Sequence, residues 1–350
     1  MKRIQIITLI ILSIIIGSSC TKEIEFNEKT LEPKLVVNAI CTLDSLITVE
    51  VSANKPIPGY ETNFKLFTDA TVKLYVDGSE AGQLEYKGSS KTGYPCAIYG
   101  SKTKAESGRL YKIEVSHNDY KTTATGEMQM GKKVSVLEVT STPIINVVYN
   151  SENTKKIEAT LTFSDPADEE NYYRLVVSYR IGEDQSHPDS NGDTIHLVQV
   201  MDYAFSYNGI ESNDPVFSNN ENADEMLFES SKSMYTVFTD ELFNGKTYDL
   251  NFYLSDNLTY DLQRLDIARG DFYIIKFELQ SLTRNTYYYL KSLGSSMWSN
   301  DGLFSEPVQV FNNIKNGLGV FGGCSSSIDS LQEGIYPRSD VEYYYGSVSY

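Results

Sequence analysis

The sequence predicts an all-β protein of two immunoglobulin- or fibronectin-like β-sandwich domains, the second with one inserted helix. Three observations carry that expectation. Between residues 34 and 282, short alternating or β-branched segments recur behind turn signals with no helical period between them. Tyrosine, which favours strands and half-wetted surfaces, occurs 26 times against a single tryptophan. The 350 residues exceed what one core usually fills, and 41% apolar content with 23 glycines is an ordinary globular mix.

The chain opens as an export signal. Lys2 and Arg3 form a positive head, Ile4 to Ile16 an apolar core too short to span a bilayer, and Gly17-Ser18-Ser19 supply small residues directly before Cys20. This arrangement predicts that residues 1–19 are a lipoprotein signal peptide and that Cys20 is the lipid attachment residue. Its thiol would carry acyl chains of the palmitate kind, and several together anchor stably where one is marginal. The polar stretch to Pro33 then reads as a tether, residues 20–33.

The first sandwich is expected over 34–131. Lys34–Cys41, Leu46–Ala53, Ala70–Val76, Gln83–Tyr86, Leu110–Ser116 and Tyr120–Met128 read as strands, punctuated by Asp77-Gly78 and His117-Asn118-Asp119. Gly131-Lys132-Lys133 marks the boundary. The second sandwich, 132–350, is expected from Val134–Ser141, Lys156–Phe163, Tyr172–Ile181, Thr194–Tyr207, Tyr235–Phe238, Thr247–Leu254 and Asp271–Leu282. Asn208–Lys232 is too long and polar for an ordinary connection and reads as an exposed loop. One helix is expected at 283–298, capped by Thr283 and apolar along Tyr287, Leu290 and Met297. Pro307–Phe311 reads as a return to strand, followed by a Gly-rich run and a Tyr-rich tail.

Charge narrows the partners. The formal charge is −17, and losing Lys2 and Arg3 with the signal makes it −19 (−17 − 2). Nucleic acid is excluded as a partner, because 30 cations scattered among 47 acids form no basic stripe. After acylation of Cys20, Cys41, Cys96 and Cys324 remain, so at most one intramolecular disulfide can form. Cys41 and Cys96 share the first sandwich and are the expected pair. His117, His187 and His196 lie on separate segments without metal-ligand spacing.

Several segments together resemble a family of Bacteroidota outer-membrane lipoproteins known as a domain of unknown function, number 4249. The resemblance rests on Pro33-Lys34-Leu35-Val36-Val37, Asp69 to Tyr75 with Asp77-Gly78, Gly108 to Val115, and Asn171-Tyr172-Tyr173-Arg174-Leu175. It continues in Phe304 to Val308 and, most specifically, in Asn313-Ile314-Lys315-Asn316-Gly317-Leu318-Gly319-Val320-Phe321-Gly322. It implies a non-enzymatic lipoprotein of the outer membrane, often encoded beside a TonB-dependent receptor. The expected role is accessory or substrate-capturing partner of such a transporter, with the ligand unknown; the alternative is a surface adhesin or fimbrial-type subunit. Glu23 and Glu25 resemble the acidic export signals of this phylum, while the membrane face, periplasmic or cell-surface, stays open.

Catalytic and ligand motifs occur as strings without their context, so no enzyme, cofactor or metal is expected. Ser52-Ala53-Asn54-Lys55, Lys91-Thr92-Gly93 and Ser255-Asp256-Asn257 match a penicillin-recognising serine enzyme in the wrong order, and Ser52 ends a strand. Gly317–Gly322 fits the dinucleotide fingerprint but no strand-helix-strand unit follows; close backbone packing or a bulged edge strand explains it better. Asp189-Ser190-Asn191-Gly192-Asp193 alternates oxygens as calcium loops do, yet Thr194 and Val200 stand where a Gly and a bidentate Glu are needed. A hairpin turn is the simpler reading. Asp165, Asp168, Glu169 and Glu170 form a second acidic cluster, also an incomplete calcium set.

Overall fold

The computed structural model describes residues 33–345 apart from 55–64, 91–94, 143–144, 150–151, 168, 205–209, 218–234, 255 and 300–307. The signal segment and Cys20 therefore lie outside the described residues. The protein is predominantly β. In chain order the first part forms β1 (Leu35–Thr42), β2 (Leu46–Ala53), β3 (Thr71–Val76), β4 (Ser79–Gln83), β5 (Glu85–Ser89), β6 (Ala97–Lys104), β7 (Leu110–Ser116) and β8 (Ala124–Gln129). There follow β9 (Val136–Ser141), β10 (Ile145–Tyr149), β11 (Glu152–Ser164), β12 (Tyr172–Asp184), β13 (His187–Pro188), β14 (Thr194–Ile195), β15 (Leu197–Ala204), β16 (Ile210–Glu211), β17 (Val237–Thr239) and β18 (Thr247–Leu254). The chain ends with helix α1 (Asp256–Arg264), β19 (Phe272–Leu282), helix α2 (Arg284–Ser299), β20 (Leu318–Glu333) and β21 (Glu342–Tyr345).

One large sheet runs through both halves of the chain in the order β21-β15-β12-β19-β20-β1-β2-β6-β5, with β17 beside β12. A second sheet, β4-β3-β7-β8, faces its β1, β2 and β6. A third, β10-β11-β18-β16 with β9 on β11, faces β12 and β19. The alternation read from sequence is the cause: Val37, Val49 and Val51 meet Val72, Ile113 and Val115 in one core. Leu175, Val177, Phe277 and Leu279 meet Leu161, Phe163, Leu250 and Phe252 in the other. A fully buried side chain such as Phe277 contributes about 2–3 kcal/mol.

The first core is not confined to 34–131. Ile314 and Phe321 belong to it, because the 16-residue β20 straddles both halves. Its first part pairs in parallel with β1, from Val36↔Leu318 to Thr42↔Cys324, and the rest pairs antiparallel with β19, from Leu282↔Cys324 to Tyr273↔Glu333.

Other differences have local causes. Ala97–Lys104 is a strand that sequence reading passed over, since Gly100 and Ser101 interrupt its pattern. The expected single strand Gln83–Tyr86 is two strands, divided at buried Leu84 where the chain crosses from one sheet to another. Helix α1 was not expected: its nine residues are mostly polar, and Leu258 and Leu262 alone supply the apolar spacing. Residues 308–311 form no strand, against the expectation for Pro307–Phe311, whose first residue is not described. Asn208–Lys232 is not wholly an exposed loop. Ile210 pairs with Leu254, and a 3-10 turn at Pro215–Phe217 buries Val216. Residues 208–209 and 218–232 of that segment lie outside the described residues.

Helix α2 lies on the large sheet, where Tyr287 and Leu290 pack with Tyr172, Leu282 and Cys324, while Met297 is exposed. Thr283 does begin it, accepting the Tyr287 amide on its carbonyl at 3.0 Å, but its hydroxyl is spent on β20, taking the Gly323 amide at 2.9 Å. The approach is so close that a Cβ on Gly322 would stand 2.3 Å from Thr286 Oγ1. Leu318–Gly322 thus opens an interior strand under close packing, with Gly317 in the turn before it, and the edge-strand alternative falls away. Asn313 completes the seam: its amide donates to Phe321 O at 2.8 Å and accepts Phe321 N at 2.9 Å.

Candidate functional site

The fold disperses most of the residues that the sequence singled out. Ser52 sits at the end of β2 opposite Val36. Lys55, Lys91-Thr92-Gly93 and Ser255 lie outside the described residues, and Asp256 opens α1. His117 is a packing histidine. Its Nδ1 accepts the Asp119 amide at 3.1 Å, which leaves the proton on Nε2, 3.0 Å from Asp69 Oδ1, and its ring meets Phe67 edge-on. The acidic loops are turned onto their own scaffold. Asp189 Oδ1 accepts the amides of Asn191 and Asp193 at 2.8 and 2.9 Å within the β13–β14 hairpin. Asp165, whose carboxyl burial pushes up, accepts from Tyr173 and from the Gly245 amide; Asp168 is not described. Among the described residues no group of three or more His, Cys, Asp or Glu could hold a metal ion.

The expected Cys41–Cys96 disulfide is not formed; Cys41, Cys96 and Cys324 are free. Register explains it. Val37 pairs with Val51 and Val51 with Ala97, so Cys96 lies near the Val36 rung, two strands across and five residues along from Cys41. That separation is about 16 Å along and 9–10 Å across, beyond the roughly 7 Å that a disulfide spans between Cα atoms.

What the fold does assemble is a charged cavity of about 670 Å³ lined by Asp184, Ser186, His196, Arg269, Ile335, Arg338 and Asp340. Asp184 ends β12, His196 precedes β15, Arg269 lies in the turn after α1, and the last three come from the segment between β20 and β21. Arg338 is the centre. Its Nη1 is 3.7 Å from Asp184 Oδ2 and its Nε 3.7 Å from Asp340 Oδ1, both too long for hydrogen bonds, and the buried Nε has no acceptor. Burial pushes the Asp184 carboxyl up, but hydrogen bonds from Ser186 and the charges of Arg338 and Arg269 outweigh it and hold the group below its ordinary value. Asp271 braces the floor, its carboxylate taking the Asp184 and Asp266 amides at 2.7 Å each.

The C-terminal segment is stapled to the sheet beside this cavity. Arg180 grips Asp202 through Nε at 2.6 Å and Nη2 at 2.7 Å, and donates to Tyr336 OH at 3.1 Å. Tyr336 stacks on Phe272 with ring centroids 4.4 Å apart, and β21 pairs in parallel with β15. Sequence reading took this tail as Tyr-rich and missed Arg338. The available signal was two cations, Arg269 after α1 and Arg338 in the tail, each in a turn-forming stretch of an otherwise acidic chain.

These features define a predominantly β protein in which a single sheet joins two cores and a charged cavity sits under a C-terminal strap. The chain belongs to the family described as a domain of unknown function (DUF4249), whose model matches residues 21–329. No curated protein matches it. Ile335, Arg338 and Asp340 lie beyond the matched residues, so part of the cavity wall is supplied outside the family match. Among the described residues no helix is long and apolar enough to cross a membrane.

Proposed function

We propose that the protein is a non-enzymatic outer-membrane lipoprotein, anchored through acylated Cys20, that captures a ligand as accessory partner of a TonB-dependent transporter. In this reading the two cores serve as two immunoglobulin-like sandwich units. One observation supports capture away from the point where the tether enters the fold. The chain enters β1 at Lys34, beside the start of β20, whereas the cavity lies past the far end of that strand. The strand between them has 16 residues, a contour length of about 50 Å when extended. The transporter link comes from the family resemblance.

Membrane fractionation of Cys20→Ala tests the anchor: the variant should leave the outer-membrane fraction, and retention in the wild-type proportion overturns anchoring. Mild detergent extraction of the native protein should bring a TonB-dependent receptor with it. Failure to co-purify any such receptor removes the accessory role.

A further inference from the structure

We infer that the cavity between Arg338 and Arg269 binds a hydroxylated small-molecule anion of the acidic-sugar class, through its carboxylate or phosphate group. The inference rests on the capture reading above and names its ligand. Arg338 carries the argument. A guanidinium side chain only 21% exposed holds a buried Nε–H without an acceptor, and its nearest carboxylates stand at 3.7 Å. Contacts that long leave the charge-assisted hydrogen bonds to Asp184 and Asp340 unmade, and a planar oxyanion offers the paired acceptors that a guanidinium fork fits.

The backbone is shaped around that arginine. Gly270 has φ +118°, and a Cβ there would fall 2.6 Å from both Arg338 Nη1 and Asp184 Oδ2. The missing side chain is what lets the guanidinium lie against the turn. Arg269, the preceding residue, adds an exposed second guanidinium to the same cavity, and among the described residues no carboxylate lies within 4.0 Å of it. The two guanidiniums are matched in number by Asp184 and Asp340, so the lining is charge-balanced in a chain of net charge −17 and repels an anion less than the rest of the surface does.

The remaining lining selects beyond charge. Ser186 and His196 offer hydroxyl and imidazole groups, and Asp340 offers an exposed carboxylate that accepts from sugar hydroxyls but repels a bare dianion. Exposed Ile335 supplies an apolar wall, and about 670 Å³ is within the range of small-molecule sites.

Titration calorimetry on the purified full-length lipoprotein, with galacturonate, galactose 6-phosphate, galactose and inorganic phosphate as probes, decides the matter. At least one charged sugar should bind saturably, about tenfold or more tighter than galactose, as expected for one charge-assisted bidentate contact. Which of the two binds distinguishes a carboxylate from a phosphate ligand. Arg269→Gln, at an exposed position, and Arg338→Gln should each weaken that binding by about tenfold or more, whereas Lys102→Gln should not. Equal binding of charged and neutral sugars, no binding of either charged sugar, unchanged binding in Arg269→Gln, or inorganic phosphate binding as tightly as the sugars each overturns the inference. The assay uses neither membrane nor receptor, so its failure leaves anchoring and co-purification standing, and their failure leaves this site standing.

Discussion

Gly322 of β20 and Thr286 of α2 are in direct contact: a Cβ on the glycine would lie 2.3 Å from the threonine Oγ1 and 3.2 Å from its backbone nitrogen. The threonine hydroxyl in turn donates to Gly323 O at 3.0 Å. The helix is therefore joined to the strand backbone through the threonine hydroxyl, and a side chain at 322 has nowhere to go. Gly322→Val is expected to destabilise by about 1–3 kcal/mol, the usual range for overpacking. Urea denaturation measures it, and a midpoint equal to wild type would show that α2 does not depend on this contact.

Cys41, Cys96 and Cys324 should behave as three free thiols of unequal reactivity. Burial, followed by the neighbouring Cys324, pushes the Cys41 thiol up to about 12, and burial also raises Cys324. Cys96 is less buried. In the folded protein, maleimide should label Cys96 first; after denaturation without reductant, Cys41, Cys96 and Cys324 should all label, as read by mass spectrometry. A protected Cys41–Cys96 pair in the denatured sample would contradict the register.

Acid should weaken the cavity's scaffold through Asp184. Its carboxyl lies below the ordinary value of 3.8 in the folded state, so its stabilising contribution is fully present above that value and is lost as pH falls through the folded-state value. The stability difference between wild type and Asp184→Asn should be constant near neutral pH and close as pH drops below about 4. Denaturant melts at stepped pH supply the check. A gap that instead widens in acid would mean that burial, not Ser186 and the arginines, controls the group.

Shortening the polar insertion should separate two stretches that composition joins. Replacing 208–217 with a Gly-Ser connector removes the Ile210 pairing and buried Val216, at a cost of about 2–4 kcal/mol for the apolar burial alone. Replacing 218–232 spares both. Thermal melting should fall for the first variant and hold for the second, and equal melting would show that the Ile210–Val216 stretch is not part of the core.

Strand content was legible because alternation is a local property: Leu46–Ala53, Leu110–Ser116 and Thr247–Leu254 have the same bounds in the sequence reading and in the fold. Pairing is not local. Nothing in Leu35–Thr42 shows that its parallel partner lies at Leu318–Cys324, and the glycines of that partner signalled close packing without naming α2 as the neighbour. The cavity was illegible for the same reason, since Asp184, Arg269 and Arg338 converge only once β12, the α1 turn and the C-terminal strap are docked. Arg338 matched no motif because its distinction is an unmet hydrogen bond, a property of surroundings rather than of spacing.

The parallel ladder between β1 and β20 joins residues as far as 282 apart in sequence, as at Asn38 and Val320. Loop closure on that scale is slow, and a chain delivered from its amino end has made the whole first half before the closing strand exists. The unit of β1–β8 must therefore wait with one sheet margin and the Ile314–Phe321 position of its interior unfilled. A nascent chain arrested before residue 318 should be protease-sensitive along β1 and dependent on holding chaperones. Completion of the carboxyl end would then act as the step that commits both halves to the native state at once.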